Sequence, residues 1–199
     1  VKDILNECDN IIKTYQKEFN YNETQLYRKN STTLNCKRHF KVFNEFNVIP
    51  KYCFACYKIQ INLGNVVDLI KLFLIFDNLS LKKNNIRKCI TEIRNNIPEN
   101  YKGYIYCNGI DEAQEIFDKI SDIANRIKFK KIKIIIKHGC SEFYGSYPNY
   151  KKINVNNGKL MQYNENWKEK ELIIDNKIPI RNELDKKKIH KSLKGINLS

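Results

Sequence analysis

The stretch KIQINLGNVVDLIKLFLIF, residues 58–76, carries a strand pattern followed directly by a helix pattern. Its first six residues alternate between polar and apolar side chains, as in a strand with one buried face. The Gly-Asn pair at 64–65 interrupts this alternation, and an asparagine side chain at such a position caps the first turn of a helix. We therefore predict a strand over 51–63 and a helix over 66–78.

The rest of the central region repeats the same kinds of element. Apolar residues at i, i+3 and i+4 spacing predict a second long helix, and three further stretches predict strands. The order β-α-β-β-α-β is the split βαβ, or ferredoxin-like, plan of the α+β class. Both helices should cover one face of a four-stranded antiparallel sheet with strand order 4-1-3-2, and the other face should be open. The predicted helix covers 111–127, and the predicted strands cover 84–94, 102–107 and 131–138.

The chain divides into a central α+β domain, residues 50–150, and two extensions. Residues 1–49 are predicted to be a helical N-terminal extension, and residues 151–199 a basic C-terminal one. Residues 151–181 of the C-terminal extension have an irregular pattern, and Trp167 is expected to anchor this segment. The helices predicted within the extensions cover 2–19, 35–46 and 182–193.

The chain of 199 residues is strongly basic, with 36 Lys and Arg against 22 Asp and Glu and a formal net charge of +14. A surplus of this size favours RNA or another polyanion as a partner. The alternative is a solvated surface in a composition rich in lysine and asparagine.

The sequence predicts no membrane span and a cytoplasmic location. Its longest apolar run, residues 66–76, is interrupted by Asp68 and Lys71 and is shorter than the ~20 residues that a spanning helix requires. Seven cysteines form no evident disulfide framework, which is typical of a reducing compartment.

Tyrosines and lysines should share the open face of the predicted sheet. On the strand over 102–107, Tyr104 and Tyr106 should lie on this face, and Cys107 should point towards the helices. Aromatic rings stack on bases, and cations contact phosphates. The candidate nucleic-acid-binding residues are Tyr104, Tyr106, Lys58, Lys102, Lys133, Lys137 and Arg87.

The octapeptide KGYIYCNG, residues 102–109, resembles the RNP-type motif [KR]-G-[FY]-[GA]-F-V-x-[FY] of the RNA recognition motif family. Lys102, Gly103 and Tyr104 match the first three positions, and Tyr106 stands at the second aromatic position. The sequence departs from the motif with isoleucine at the fourth position, cysteine at the sixth and glycine at the last. The resemblance implies that single-stranded RNA stacks on the two tyrosines. The alternative is a tyrosine-rich strand that the C-terminal segment covers.

Cysteines should gather at one edge of the predicted sheet. A CxxC pair begins the first strand, one cysteine ends the third strand, and another follows the fourth. Four thiolates suit tetrahedral zinc or an iron–sulfur cluster, and the candidate ligands are Cys53, Cys56, Cys107 and Cys140. The alternatives are buried thiols without any cofactor and, on the helix over 35–46, a ligand pair of Cys36 and His39.

No complete catalytic signature is present, so the sequence favours a non-enzymatic binding module. The stretch KHGCSEF, residues 137–143, contains His138 and Cys140, and a catalytic role for this pair stays open because it needs a defined mutual geometry. A third possibility is a subunit of a larger assembly. Its docking surface would be either the C-terminal extension or the helix over 66–78, which is apolar nearly all round and should be covered on more than one side.

Overall fold

The computed structural model describes residues 6–7, 10, 13–14, 25–28, 34–94, 97–153 and 160–177. Of the helix predicted over 2–19, five residues are described, and all five are helical. The helix predicted over 182–193 lies outside the described residues.

Five strands and four helices can be followed from end to end in the described residues. They are β1 (Gln25–Arg28), α1 (Cys36–Phe46), β2 (Cys56–Leu63), α2 (Val66–Asn78), β3 (Arg87–Thr91), β4 (Tyr101–Asn108), α3 (Ile110–Ile127), β5 (Ile132–His138) and α4 (Lys168–Lys177). Four short 3-10 turns are Lys51–Ala55, Ser141–Phe143, Pro148–Lys151 and Glu165–Trp167. None of these helices is long and apolar enough to cross a membrane.

The strands form one sheet in the order β1-β3-β4-β2-β5, and every neighbouring pair is antiparallel. All four predicted strands are present. The sheet has one strand more than predicted, because the short β1 pairs with the outer edge of β3. In the centre of the sheet, Lys58 of β2 lies opposite Tyr106 of β4 and Lys137 of β5.

Both α2 and α3 pack on one face of this sheet and form the main core with it. The bounds of α2 confirm the prediction, and the Asn65 side chain caps it by accepting a hydrogen bond from the Asp68 N–H at 2.9 Å. Gly103 of β4 allows close approach of α2, because a Cβ there would lie 2.3 Å from Leu72 Cδ2. We call the opposite side of the sheet the second face.

The outer side of α2 is partly exposed, whereas the sequence predicted that this helix is covered on more than one side. Four apolar residues of this helix are about half exposed: Val66 48%, Val67 57%, Ile70 56% and Leu74 56%. Although α2 is apolar nearly all round, the described residues bury only its inner side, against the sheet.

A second core lies at the end of the sheet where β2 begins and β5 ends. Its buried residues are Ile49, Cys53, Phe143 and Tyr150. Trp167 packs against this cluster, which confirms its predicted role as an anchor.

Residues 168–177 form the helix α4, whereas the sequence predicted an irregular segment there. An ion-pair network holds this helix against α1, since Arg38 donates to Glu171 and also to both carboxylate oxygens of Asp175 at 2.8 Å. The partners are buried, so the network fixes the position of α1 beside the end of the sheet.

Candidate functional site

The second face carries a half-open cavity of about 570 Å³, which we call the basic pocket. Its floor includes Tyr104, Tyr106 and Lys58, and its walls include Phe40 of α1 and Glu142 after β5. The volume lies within the range of about 300–1,000 Å³ that small-molecule sites occupy. The strand alternation of β2 and β4 therefore places the predicted tyrosines and a predicted lysine in one concave site.

Lysine ammonium groups lie over both tyrosine rings. The Lys58 Nζ is 5.5 Å from the centre of the Tyr106 ring, and the Lys88 Nζ is 5.6 Å from that of Tyr104 and 5.8 Å from that of Tyr106. These distances permit cation–π attraction. Tyr106 is only 9% exposed, whereas Tyr104 is half-buried, so the two rings are not equally accessible.

Three lysines, Lys58, Lys88 and Lys137, line the basic pocket together. Burial lowers the pKa of Lys88, and the nearby charge of Lys58 lowers it further. The same two causes, in the same order, lower the pKa of Lys137. The positive charge of Lys58 therefore disfavours the charged forms of Lys88 and Lys137 in a partly desolvated site, and an anion bound among the three side chains would offset this effect.

The carboxylates of the basic pocket do not cancel this positive charge. Glu92 is already paired with Arg94 Nε at 2.8 Å and lies 3.9 Å from Lys102 Nζ. The hydrogen bonds from Arg94 lower the pKa of Glu92 to about 2. Of the described residues, Glu142 is the other carboxylate that lines the pocket, and it is exposed.

The structure places three of the predicted cationic residues away from the pocket. Arg87 is fully buried on the helix side, where its Nη1 donates to the carbonyl oxygens of Phe76 and Leu79 at the end of α2. Lys102 belongs to the second face but is 3% exposed beside Glu92. The exposed Lys133 is on β5, opposite Asn62 and outside the pocket lining.

Lys88 lines the basic pocket, whereas Arg87 was the predicted candidate; the sequence left open which of these two residues lies on the open face. The strand over 84–94 contains too few apolar residues to show which side faces the core. The burial of Arg87 and Cys89 on either side of Lys88 settles the alternation. Apolar residues at every second position would have shown which side of the strand faces the core, but here an arginine, Arg87, occupies a core position.

Four cysteines line a second, much smaller cavity of about 10 Å³, which we call the thiol cavity. Cys53 and Cys56 reach it together because residues 51–55 form a 3-10 turn, whereas the sequence predicted that the strand begins at residue 51. The other two are Cys36 of α1 and Cys140 after β5. Cys107 does not line it, since its side chain belongs to the main core.

The thiol cavity also touches the basic pocket. Cys36 and Cys140 line both, and Lys58 Nζ donates a hydrogen bond to Cys140 Sγ at 3.2 Å. His39 lines the thiol cavity, so the predicted pair of Cys36 and His39 is brought to the CxxC pair. In the described part of the chain, no three Cys, His, Asp or Glu side chains are placed so that they could hold a metal ion as they stand.

Burial determines the protonation of these thiols. It raises the pKa of Cys36 and raises that of Cys53 well above the ordinary value. Burial likewise raises the pKa of Cys56 to about 12. These three groups are therefore neutral thiols near pH 7, and a metal ion would have to displace their protons to bind.

His138 does not face Cys140 as a base. Its Nδ1 lies 2.6 Å from the carbonyl oxygen of Tyr150, and its Nε2 lies 3.0 Å from that of Phe54. Its ring also packs between those of Tyr57 and Tyr150. Since both ring nitrogens point at backbone oxygens, the imidazole is placed to join chain segments rather than to accept a proton from the thiol.

No protein-family model matches the chain, and comparison with curated proteins and with solved structures gives no significant match. The function must therefore be inferred from the two cavities themselves.

Proposed function

We propose that this chain is a non-enzymatic binding module for single-stranded RNA and that the basic pocket is its binding site. The observation that carries the proposal is the convergence of Lys58, Lys88 and Lys137 around Tyr104 in one concave site. Lysine ammonium groups contact phosphates, and an aromatic ring stacks on a base of any identity. The net charge of +14 adds long-range attraction for a polyanion.

The test is the affinity for a labelled single-stranded RNA of about ten nucleotides, a length within the range that single-strand binding modules cover. Affinity is measured by fluorescence anisotropy over a range of salt concentrations. If three phosphates are neutralised, the slope of log affinity against log salt should be about −2, since each phosphate contributes about −0.7 for single strands.

Variants of the pocket separate this site from general surface charge. Replacing Lys58, Lys88 and Lys137 together by Ala should abolish the salt dependence and most of the affinity. Lys133→Ala is the matched control, because Lys133 is exposed on the same face outside the pocket. Equal losses in the control and in the triple variant would overturn the assignment of the site.

A second candidate function is a metal site at the thiol cavity, and the specific observation in its favour is that four cysteines line one cavity. Its volume of about 10 Å³ is close to the space that a single water-sized particle needs. Zinc is the ion that a set of four thiolates suits best, and the same ligands suit an iron–sulfur cluster. Binding would require Cys140 to exchange its contact with Lys58 for the metal.

Titration of the reduced protein with Co²⁺ tests this candidate, because cobalt bound to thiolates gives charge-transfer absorption that water-bound cobalt lacks. We expect one equivalent of Co²⁺ to bind. The double variant with Cys53→Ser and Cys56→Ser should lack the absorption. Cys107→Ser is the control, since that thiol lies in the main core. The candidate fails if no absorption develops or if elemental analysis of anaerobically purified protein finds no metal.

We also propose that residues 56–138 follow the ferredoxin-like plan and that the protein works in a reducing, cytoplasmic environment. In support of the first point, β5, β2, β4 and β3 are successive neighbours in the sheet, and α2 and α3 share one core with it. In support of the second, the seven cysteines of the chain form no evident disulfide framework. An experimental structure and localisation of a tagged full chain test these two proposals.

A further inference from the structure

The basic pocket is closed on several sides, which limits what part of an RNA strand it can hold. The segment that follows β3 contributes a wall with Arg94, and the first turn of α1 with Cys36 and the turn with Ser141 contribute others. Tyr106 lies beneath Lys58 and is 9% exposed, so Tyr104 is the more accessible of the two strand tyrosines for stacking on a base. This geometry suits one nucleotide rather than a run of stacked bases.

The charge of the residues that line the pocket further restricts which ligand it can bind. Among the described residues, four cations line the pocket, namely three lysines and Arg94, against the two carboxylates Glu92 and Glu142, which leaves a net charge of +2 for this part of the lining. A phosphodiester inside a strand carries one negative charge, whereas a terminal phosphate monoester carries about 1.5 to 2 at pH 7. A terminal phosphate therefore matches the lining better than an internal one.

We propose that the basic pocket binds a nucleotide through a terminal phosphate monoester. This inference rests on the proposed function and deepens it. The phosphate lies between Lys58, Lys88 and Lys137, and the base stacks on Tyr104. Lys58 is able to turn towards the phosphate because its present partner, the Cys140 sulfur at 3.2 Å, is a weaker hydrogen-bond acceptor than a phosphate oxygen. The ligand is either a free mononucleotide or the phosphorylated end of a single strand.

The experiment compares RNA oligonucleotides of one sequence that carry a 5′ phosphate, a 3′ phosphate or hydroxyl groups at both ends. We expect at least one phosphorylated form to bind about ten-fold more tightly than the hydroxyl form, the size of a difference of about 1.4 kcal/mol. Competition with the mononucleotide of the same terminal base identifies the source. Displacement by the mononucleotide at micromolar concentration indicates a small-molecule ligand, and displacement by the phosphorylated strand alone indicates an RNA end.

The pocket variants complete the test. Lys137→Ala and Tyr104→Ala should each lower the preference for the phosphorylated form, whereas Lys133→Ala should keep it. Circular dichroism and a thermal melt show whether each variant is folded. Equal affinity for all three RNA forms overturns the inference and leaves RNA binding intact. Absence of binding by every RNA and by the mononucleotide overturns the proposed function as well.

Discussion

The ammonium group of Lys58 donates a hydrogen bond to the Cys140 sulfur at 3.2 Å, and this contact connects the basic pocket with the thiol cavity. Lys58 is on β2, and Cys140 follows the neighbouring strand β5. Any change at Cys140 therefore alters the position of a lysine that we assign to phosphate binding. This contact therefore couples the two proposed sites.

Alkylation should distinguish the cysteines of the pocket from those of the cores. N-ethylmaleimide should modify Cys36 and Cys140 first, because both are half-buried and line the basic pocket. Cys53, Cys89 and Cys107 are at most 6% exposed and should react much more slowly. Peptide mapping by mass spectrometry over time measures the order. Modification of Cys107 before Cys140 would contradict the described packing of β4.

Arg87 and Lys88 form a matched pair for testing which side of β3 faces the core. Arg87→Met should destabilise the protein by about 3 kcal/mol, because the carbonyl oxygens of Phe76 and Leu79 lose a charged donor in a buried site. Lys88→Met should change stability by about 0.5 kcal/mol or less, as at other sites outside the cores. Urea denaturation measures both. Similar values for the two variants would show that β3 is placed in the wrong register.

The approach of α2 to the sheet depends on Gly103. Gly103→Ala should cost about 1–3 kcal/mol, since the new methyl group would meet Leu72 and Phe76 and the core would have to shift. Gly145→Ala is the control, because a Cβ at Gly145 meets no atom within 4 Å. Thermal melts of the two variants measure the difference. A neutral Gly103→Ala would mean that α2 lies farther from β4 than described.

Glu92 should make the folded state sensitive to acid. Its pKa in the folded protein is about 2, below the ordinary value of 4.5, owing to hydrogen bonds from Arg94 and despite burial. The stabilisation is therefore complete above about pH 4.5 and is lost as the pH falls towards about 2. Glu92→Gln should be less stable than the parent near neutral pH, and the gap should close between these two values.

Urea denaturation of the parent and of Glu92→Gln at several pH values checks this expectation. Glu142→Gln serves as the control because that carboxylate is exposed in the same pocket. A gap that stays constant from neutral pH down to pH 3 would indicate that Glu92 contributes by packing rather than by its charge.

The sequence was sufficient to predict the elements whose pattern directly reflects burial. Residues 58–63 alternate strictly, so both faces of β2 were predicted, and α2 has a capping asparagine at its start. The position of Tyr104 in the pocket followed from the alternation of β4. The local sequence was enough in these cases because strand alternation and helix capping depend on residues that are close together in the chain.

The features that the sequence missed depend on distant partners. Helix α4 contains no continuous apolar stripe, and it packs through Ile174 and through Glu171, which pairs with Arg38 far away in the chain. The burial of Arg87 depends on the carbonyl oxygens at the end of α2. The thiol cavity needed Cys36, whose approach to the CxxC pair depends on how α1 packs.

The pairing of β1 with β3 has a consequence for the order in which the protein folds. Gln25 lies opposite Ile90, and Arg28 lies opposite Arg87, so this pairing closes a loop of roughly 60 residues, whereas β3 and β4 are joined by a short hairpin. Contacts between residues so far apart form late, because the entropy lost in closing the loop is recovered only when the rest of the sheet is present. The β3–β4 hairpin should therefore gain protection from hydrogen exchange during refolding before β1 does.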